Sequence, residues 1–220
     1  MAVVPSSDVY QFILRRCMSM SEILQTIGEN QVKHFPTGEE VQLKSFWADN
    51  DVVIYFLRRY GCPVCRWLAK NISRLQPIFD SNNVKLVGMS PQTQGSDEFL
   101  KSKLFSGELY IDEKKKCYKD LEYQQYSFFG ALMALKDKDT QFLSQKAKEE
   151  GISGDIRGDW YQMGGLLVIR KGGEVLLNFK QQKGSDHVEN PEILKALGID
   201  AALEEASDKP AECDAAACSM

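Results

Sequence analysis

The sequence predicts an α/β fold, a mixed central sheet with helices on both faces, and three observations carry that expectation. Asp51-Val-Val-Ile-Tyr-Phe-Leu57 is a continuous apolar, β-branched and aromatic run, as a strand covered on both faces requires. Val64, Trp67, Leu68, Ile72, Leu75 and Phe79 then recur at spacings of three and four, an amphipathic helix. A second buried strand, Val84-Lys-Leu-Val-Gly-Met89, follows the turn Ser81-Asn82-Asn83. Strand, helix and strand with short links make a right-handed parallel crossover.

The other elements fall in order around this unit. Glu22–Asn30 reads as a short helix, and Val32–Leu43 as two extended pieces around the turn Pro36-Thr37-Gly38. Pro77 is expected to kink or loosen the last turn of the long helix, because it has no N–H to give back. Ser96–Lys103 reads as a helix capped by Ser96, Gly107–Asp112 as a third strand, and Glu113–Leu121 as a helix carrying a structural thiol, Cys117. Tyr126–Leu135 is aromatic and apolar, either a core helix or part of a substrate wall. Asp139–Glu150 is a polar amphipathic helix ended by Gly151. Gly165–Arg170 and Glu174–Lys180 are joined through Gly172-Gly173, a strong hairpin signal. Pro191–Leu197 is a last helix closed by Gly198. This order is a thioredoxin-like three-layer sandwich with an insert between its halves.

Residues 20–200 are expected to form that domain. Residues 1–19 read as a poorly ordered extension, and 201–220 as a mobile acidic tail. In the extension the apolar stretch is short and Arg15-Arg16 follow it, opposite to a secretory signal. A mitochondrial leader is an alternative, and Met20 is itself a plausible start. In the tail, the position four from the end holds Ala217, so Cys213 and Cys218 do not make a prenylation box. Cys17 is read as incidental.

The 220 residues carry a net charge of −4 with basic and acidic residues interspersed, which gives no reason to expect nucleic acid as a partner. No run approaches the ~20 apolar residues of a membrane span. Six cysteines at these spacings are not a stapled secreted framework. Reduced thiols in the cytosol are the expected setting. The Gly151, Gly154 and Gly158 loop matches neither a Walker A loop nor a dinucleotide fingerprint, so no cofactor is expected to bind.

The centre of the chain is Gly61-Cys62-Pro63-Val64-Cys65-Arg66-Trp67. Pro63 suits the first position of the helix, which puts Cys62 at its start. Free N–H groups and the positive dipole end there favour a thiolate, the form of cysteine that attacks. Arg58, Arg59 and Arg66 add positive charge nearby. Cys65 lies three residues on, hence on the same face, and can resolve what forms at Cys62. Zinc is disfavoured: there is no second Cys-x-x-Cys, and neither His34 nor His187 is paired with a cysteine at ligand spacing. A pair of inert buried cysteines is the plain alternative to a redox pair.

The run Leu57-Arg-Arg-Tyr-Gly-Cys-Pro-Val-Cys-Arg-Trp67 resembles the peroxiredoxin-like prostamide/prostaglandin F synthase family. Phe105-Ser-Gly-Glu-Leu-Tyr-Ile-Asp112, Gly151-Ile-Ser-Gly154, Gly164-Gly-Leu-Leu-Val168 and Ile193-Leu-Lys-Ala-Leu-Gly198 agree in order, so the likeness covers roughly Met20 to Asp200. The resemblance implies a reductase that opens the endoperoxide of prostaglandin H2 and prostamide H2 to F2α products. It implies Cys62 and Cys65 as the redox pair, a thioredoxin-type reductant, and NADPH acting only through that reductant. Arg59 and Arg66 are candidates to hold the thiolate, although Arg66 reads equally as a solvated helix residue. Candidate wall residues for a lipid are Trp67, Phe128, Phe129, Trp160, Tyr161 and Met163, each equally readable as core.

The sequence also departs from related patterns. Where a peroxiredoxin has proline and threonine ahead of its reactive cysteine, this chain has Tyr55 and Arg59, so hydrogen peroxide scavenging of that kind is not expected. Gln162-Met-Gly-Gly165 approaches the hairpin without the proline that thioredoxins place there. The alternatives are a general thiol-disulfide or peroxide reductase, and a non-enzymatic redox-sensing module.

Overall fold

The computed structural model describes residues 20–128, 130–131 and 136–200. The readings placed on 1–19 and 201–220, on Cys17, Cys213 and Cys218, and on Phe129 lie outside the described residues. So does most of the second half of the Tyr126–Leu135 stretch.

The described strands form one seven-stranded mixed sheet in the order β2-β1-β5-β4-β3-β6-β7. They are β1 Gln31–Phe35, β2 Glu40–Gln42, β3 Asp51–Phe56, β4 Val84–Ser90, β5 Glu108–Ile111, β6 Gly165–Arg170 and β7 Glu174–Lys180. The predicted apolar run is β3. It pairs parallel with β4, from Asp51 opposite Val84 to Phe56 opposite Met89. On its other side it pairs antiparallel with β6, from Val52 opposite Ile169 to Phe56 opposite Gly165. The β6–β7 hairpin closes one edge.

Alternate side chains of β3 feed two cores, as strand geometry dictates. Val53 and Tyr55 pack under α2 (Pro63–Ser73), α6 (Lys138–Glu149) and α7 (Asn190–Leu197). Val52, Ile54 and Phe56 face α1 (Met20–Gly28) and α5 (Lys116–Asp120) on the opposite side. Each such side chain, wholly withdrawn from water, contributes about 1.5–3 kcal/mol of transfer free energy. The result is the three-layer arrangement expected from the order of elements.

Three local expectations are corrected. The helix predicted to continue through Phe79 ends at Ser73, and a separate short helix, α3 (Gln76–Ser81), begins with Pro77 in its first turn. A proline there gives up an N–H that has no helical partner, so it starts a helix rather than loosening one. Helix α4 (Ser96–Lys101) is preceded by Gly95 at φ 85°, and the Ser96 hydroxyl donates to the Thr93 carbonyl at 2.7 Å instead of capping. Helix α5 is only the Lys116–Asp120 part of the predicted segment. Asp112 accepts from Lys116 N at 2.9 Å and from Cys117 N at 2.7 Å at its start.

Candidate active site

Cys62 is the N-cap residue of α2, with extended backbone (φ −80°, ψ 121°) and Pro63 directly after it. Its Sγ accepts from the Cys65 N–H at 3.4 Å, the bond that a serine or aspartate oxygen makes at other helix starts. Both cysteines are free thiols. Cys62 retains 8 % exposure and Cys65 1 %, so only the first can meet a substrate. The Cys65 thiol donates to Cys62, and with Arg58, the Cys65 N–H and Arg59 it holds the Cys62 pKa below the ordinary thiol range against the cost of burial. The same hydrogen bond, with burial added, pushes Cys65 up. The two shifts run in opposite directions, favouring the thiolate at Cys62 and the thiol at Cys65.

The turn ahead of Cys62 is held by the Gly151–Tyr161 loop. Asp155 N donates to the Gly61 carbonyl at 2.7 Å. A Cβ on Gly61 would stand 2.9 Å from the Asp155 and Arg157 carbonyl oxygens and collide with the Asp155 carboxylate. A Cβ on Gly154 would lie 2.5 Å from Pro63 Cδ. Glycine at both positions is what lets the loop lie directly on the cysteine turn.

The arginines divide their work. Arg59 donates to the carbonyls of Asp155 at 2.8 Å and Arg157 at 3.0 Å, and its guanidinium lies 3.7 Å over the Trp160 ring. Arg66 donates to the carbonyls of Tyr60 at 2.5 Å and Ser153 at 2.8 Å and faces the Asp155 carboxylate at 3.6 Å. It does not line the Cys62 opening. Arg66 is neither the solvated helix residue nor a cation aimed at the thiolate; it ties the loop to α2. Arg58, four residues before Cys62, lines the same cleft, and its charge helps lower the Cys62 pKa ahead of that of Arg59.

Cys62 opens into a cleft of about 350 Å³. Its walls include Arg58, Tyr126, Ile156 and Trp160, with Thr140 and Ser144 of α6 opposite. Trp160 is the predicted wall residue that lines it. Trp67 packs elsewhere: its indole N–H donates to Glu150 at 2.6 Å, and its ring meets His187 edge-on. Met163 is fully buried in the core. Phe128 is 67 % exposed and stands outside the cleft, as does the exposed Tyr161. Tyr126, Thr140, Ser144 and Ile156 were not singled out from sequence. Ile156 left a signal, being an apolar residue set between Asp155 and Arg157, and it is 81 % exposed at the cleft mouth. Among the described residues no cluster of three His, Cys, Asp or Glu side chains is placed to hold a metal. No described helix is long and apolar enough to cross a membrane.

A dithiol at the start of a helix, mounted on the central strand of this sheet, defines a peroxiredoxin-like thiol oxidoreductase. A family model described as AhpC/TSA antioxidant enzyme matches residues 71–183. Prostamide/prostaglandin F synthases from Danio rerio, Salmo salar and Homo sapiens are 42 %, 44 % and 43 % identical, over 89 %, 85 % and 87 % of this chain and 96 %, 93 % and 96 % of theirs. The chain belongs to the prostamide/prostaglandin F synthase family. Among solved structures, peroxidoxin BcpB from Mycobacterium tuberculosis superposes with a TM-score of 0.56 at 14 % identity, covering 80 % of this chain and 96 % of its own. The Xanthomonas campestris bacterioferritin comigratory protein gives 0.52 at 15 %, covering 73 % and 86 %. At these identities the likeness is one of fold.

Proposed function

We propose that this chain reduces a lipid endoperoxide, opening the O–O bridge of prostaglandin H2 and of its ethanolamide, prostamide H2, to the F2α products. The observation that supports this most is the paired thiols: Cys62 opens into a cleft walled by Tyr126 and Trp160, its pKa lowered, and Cys65 lies one turn away, its pKa raised. Membership of the family named above points to the substrate.

The chemistry is a two-electron reduction. The Cys62 sulfur attacks one endoperoxide oxygen, the O–O bond breaks, and the other oxygen leaves as an alkoxide. Cys62 then carries an S–O-alkyl bond, the organic counterpart of a sulfenic acid. The Cys65 proton passes to the alkoxide, which gives the first hydroxyl and leaves Cys65 a thiolate. Cys65 attacks the Cys62 sulfur and expels the second oxygen, which takes a proton from water. The substrate has gained two electrons and two protons, and the two thiols have become a disulfide. A thioredoxin-type dithiol protein, supplied with electrons by NADPH, resets the pair by exchange. On this reading no cofactor binds the chain, and the cytosol is its compartment.

The test is purified reduced protein mixed with prostaglandin H2, thioredoxin, thioredoxin reductase and NADPH, following F2α product and NADPH loss together, with Cys62→Ser alongside. Product that vanishes in the variant supports the reading. NADPH consumption with hydrogen peroxide and no F2α from the endoperoxide replaces it with a general peroxide reductase. Turnover of neither substrate leaves a redox-sensing pair.

A further inference from the structure

We propose that Arg58 is a catalytic residue, the group that receives the oxygen leaving Cys62's attack. The proposal rests on the endoperoxide reading above and assigns the charge that reading releases.

Breaking an O–O bond with a thiolate moves a full negative charge from sulfur to the departing oxygen. A fixed donor aimed at that oxygen lowers the barrier more than one aimed at the resting substrate. Three arginines stand around the cysteine turn. Arg59 and Arg66 donate to backbone carbonyls of the 153–157 loop, and Arg66 does not line the cleft. Arg59 lines the cleft beside Cys62 and Arg66 Nη2 is buried without a hydrogen-bond partner, but among the described residues Arg58 alone of the three combines a place in the cleft wall with such an unpartnered donor, its Nε. A buried donor left unpaired is costly, a cost expected where a ligand completes the bond. The side chain is also fixed in place. Its Nη1 packs so closely on Gly184 that a Cβ there would collide with it, and its Cζ lies 5.9 Å from the centre of the Tyr126 ring. The guanidinium stays protonated throughout. It steadies the alkoxide, while the proton comes from Cys65 and the electron pair from Cys62.

The same cation also favours the resting thiolate, so the experiment separates the two effects. Arg58→Gln, Arg58→Lys and Gly184→Ala are each compared with the parent chain in two single-turnover measurements on reduced protein across pH. One is alkylation of Cys62 by iodoacetamide, which needs the thiolate but expels no oxygen. The other is cleavage of an O–O bond, in prostaglandin H2 and separately in cumene hydroperoxide. The expected result for Arg58→Gln is alkylation that regains the parent rate at high pH, while O–O cleavage stays about 10²–10³-fold slower on that plateau. Arg58→Lys recovers part of this loss, and Gly184→Ala, which keeps the charge but displaces it, shows part of it. Equal recovery of both reactions at high pH overturns the proposal, because Arg58 then serves the thiolate alone. Unimpaired cleavage in Arg58→Gln also overturns it. Parent protein that cleaves the hydroperoxide but not the endoperoxide sinks the substrate reading and leaves the role of Arg58 to be decided on the hydroperoxide. Parent protein that cleaves neither overturns both.

Discussion

Two buried cysteines, each at the start of a helix, occupy opposite electrical settings. Cys62 caps α2, takes hydrogen bonds from the Cys65 thiol and N–H, and has Arg58 and Arg59 beside it, so its thiolate is favoured. Cys117 lies in the first turn of α5, where burial and then the Asp112 carboxylate drive its pKa far above the thiol range. Asn30 Nδ2 at 3.6 Å from its sulfur offsets this only in part. The contrast teaches that a helix start is not what makes a thiol reactive. The sign of the nearest charges and a path to solvent decide it.

The sharpest way to break the contrast is to remove the thiol that carries it. Cys62→Ser is expected to abolish product formation in the coupled assay, whereas Cys117→Ser leaves the turnover rate unchanged. Cys65→Ser is expected to stop after one O–O cleavage with the opened substrate still bonded to Cys62, which intact-protein mass spectrometry reads as a single adduct per chain.

Next in size is the pH at which each thiol reacts. Deprotonation makes the nucleophile, so a lowered pKa moves the alkylation midpoint down. Cys62 is expected to react with a midpoint well below the ordinary ~8.5 of a thiol, and Cys117 only in denaturant. Mass spectrometry of peptides after timed iodoacetamide pulses reads both.

Asp112→Ala removes the anion beside Cys117 and leaves the Lys116 and Cys117 N–H groups without their acceptor. It is expected to cost about 1–3 kcal/mol in denaturant unfolding while lowering the Cys117 pKa towards its usual value. The smallest effect is expected at Glu150, which binds Lys70 and the Trp67 indole at 2.6 Å each near the surface. Glu150→Gln should cost about 1 kcal/mol or less by the same measurement and leave Cys62 alkylation untouched.

The β3 run, the Cys-x-x-Cys turn and the Gly172-Gly173 hairpin were legible because each is written in consecutive residues. The pairing of β1 with β5, which sets His34 opposite Tyr110, was not, because it joins segments far apart in the chain. The arginines divide the same way. That cations surround Cys62 is visible in Arg58, Arg59 and Arg66. Which of them binds the Gly151–Tyr161 loop depends on where that loop offers carbonyl oxygens, and a loop has no period to reveal that. Trp67 was read as wall or core, and it falls away from the cleft because two residues along a helix from Cys65 turn a side chain by more than half a circle.

The position of β3 has a consequence for how long the reactive turn keeps its shape. Strand β3 is bonded along its length by β4 on one side and β6 on the other, and Leu57 N continues the ladder to the Met89 carbonyl at 2.8 Å. Amides held in this way open only when the whole domain opens, and they are the last to exchange with deuterated water. Cys62 follows this segment by five residues. Loosening of the sheet's outer strands, β2 at one edge and β7 at the other, therefore leaves it presented as before. The thiol's readiness should outlast partial opening of the domain and disappear only with global unfolding.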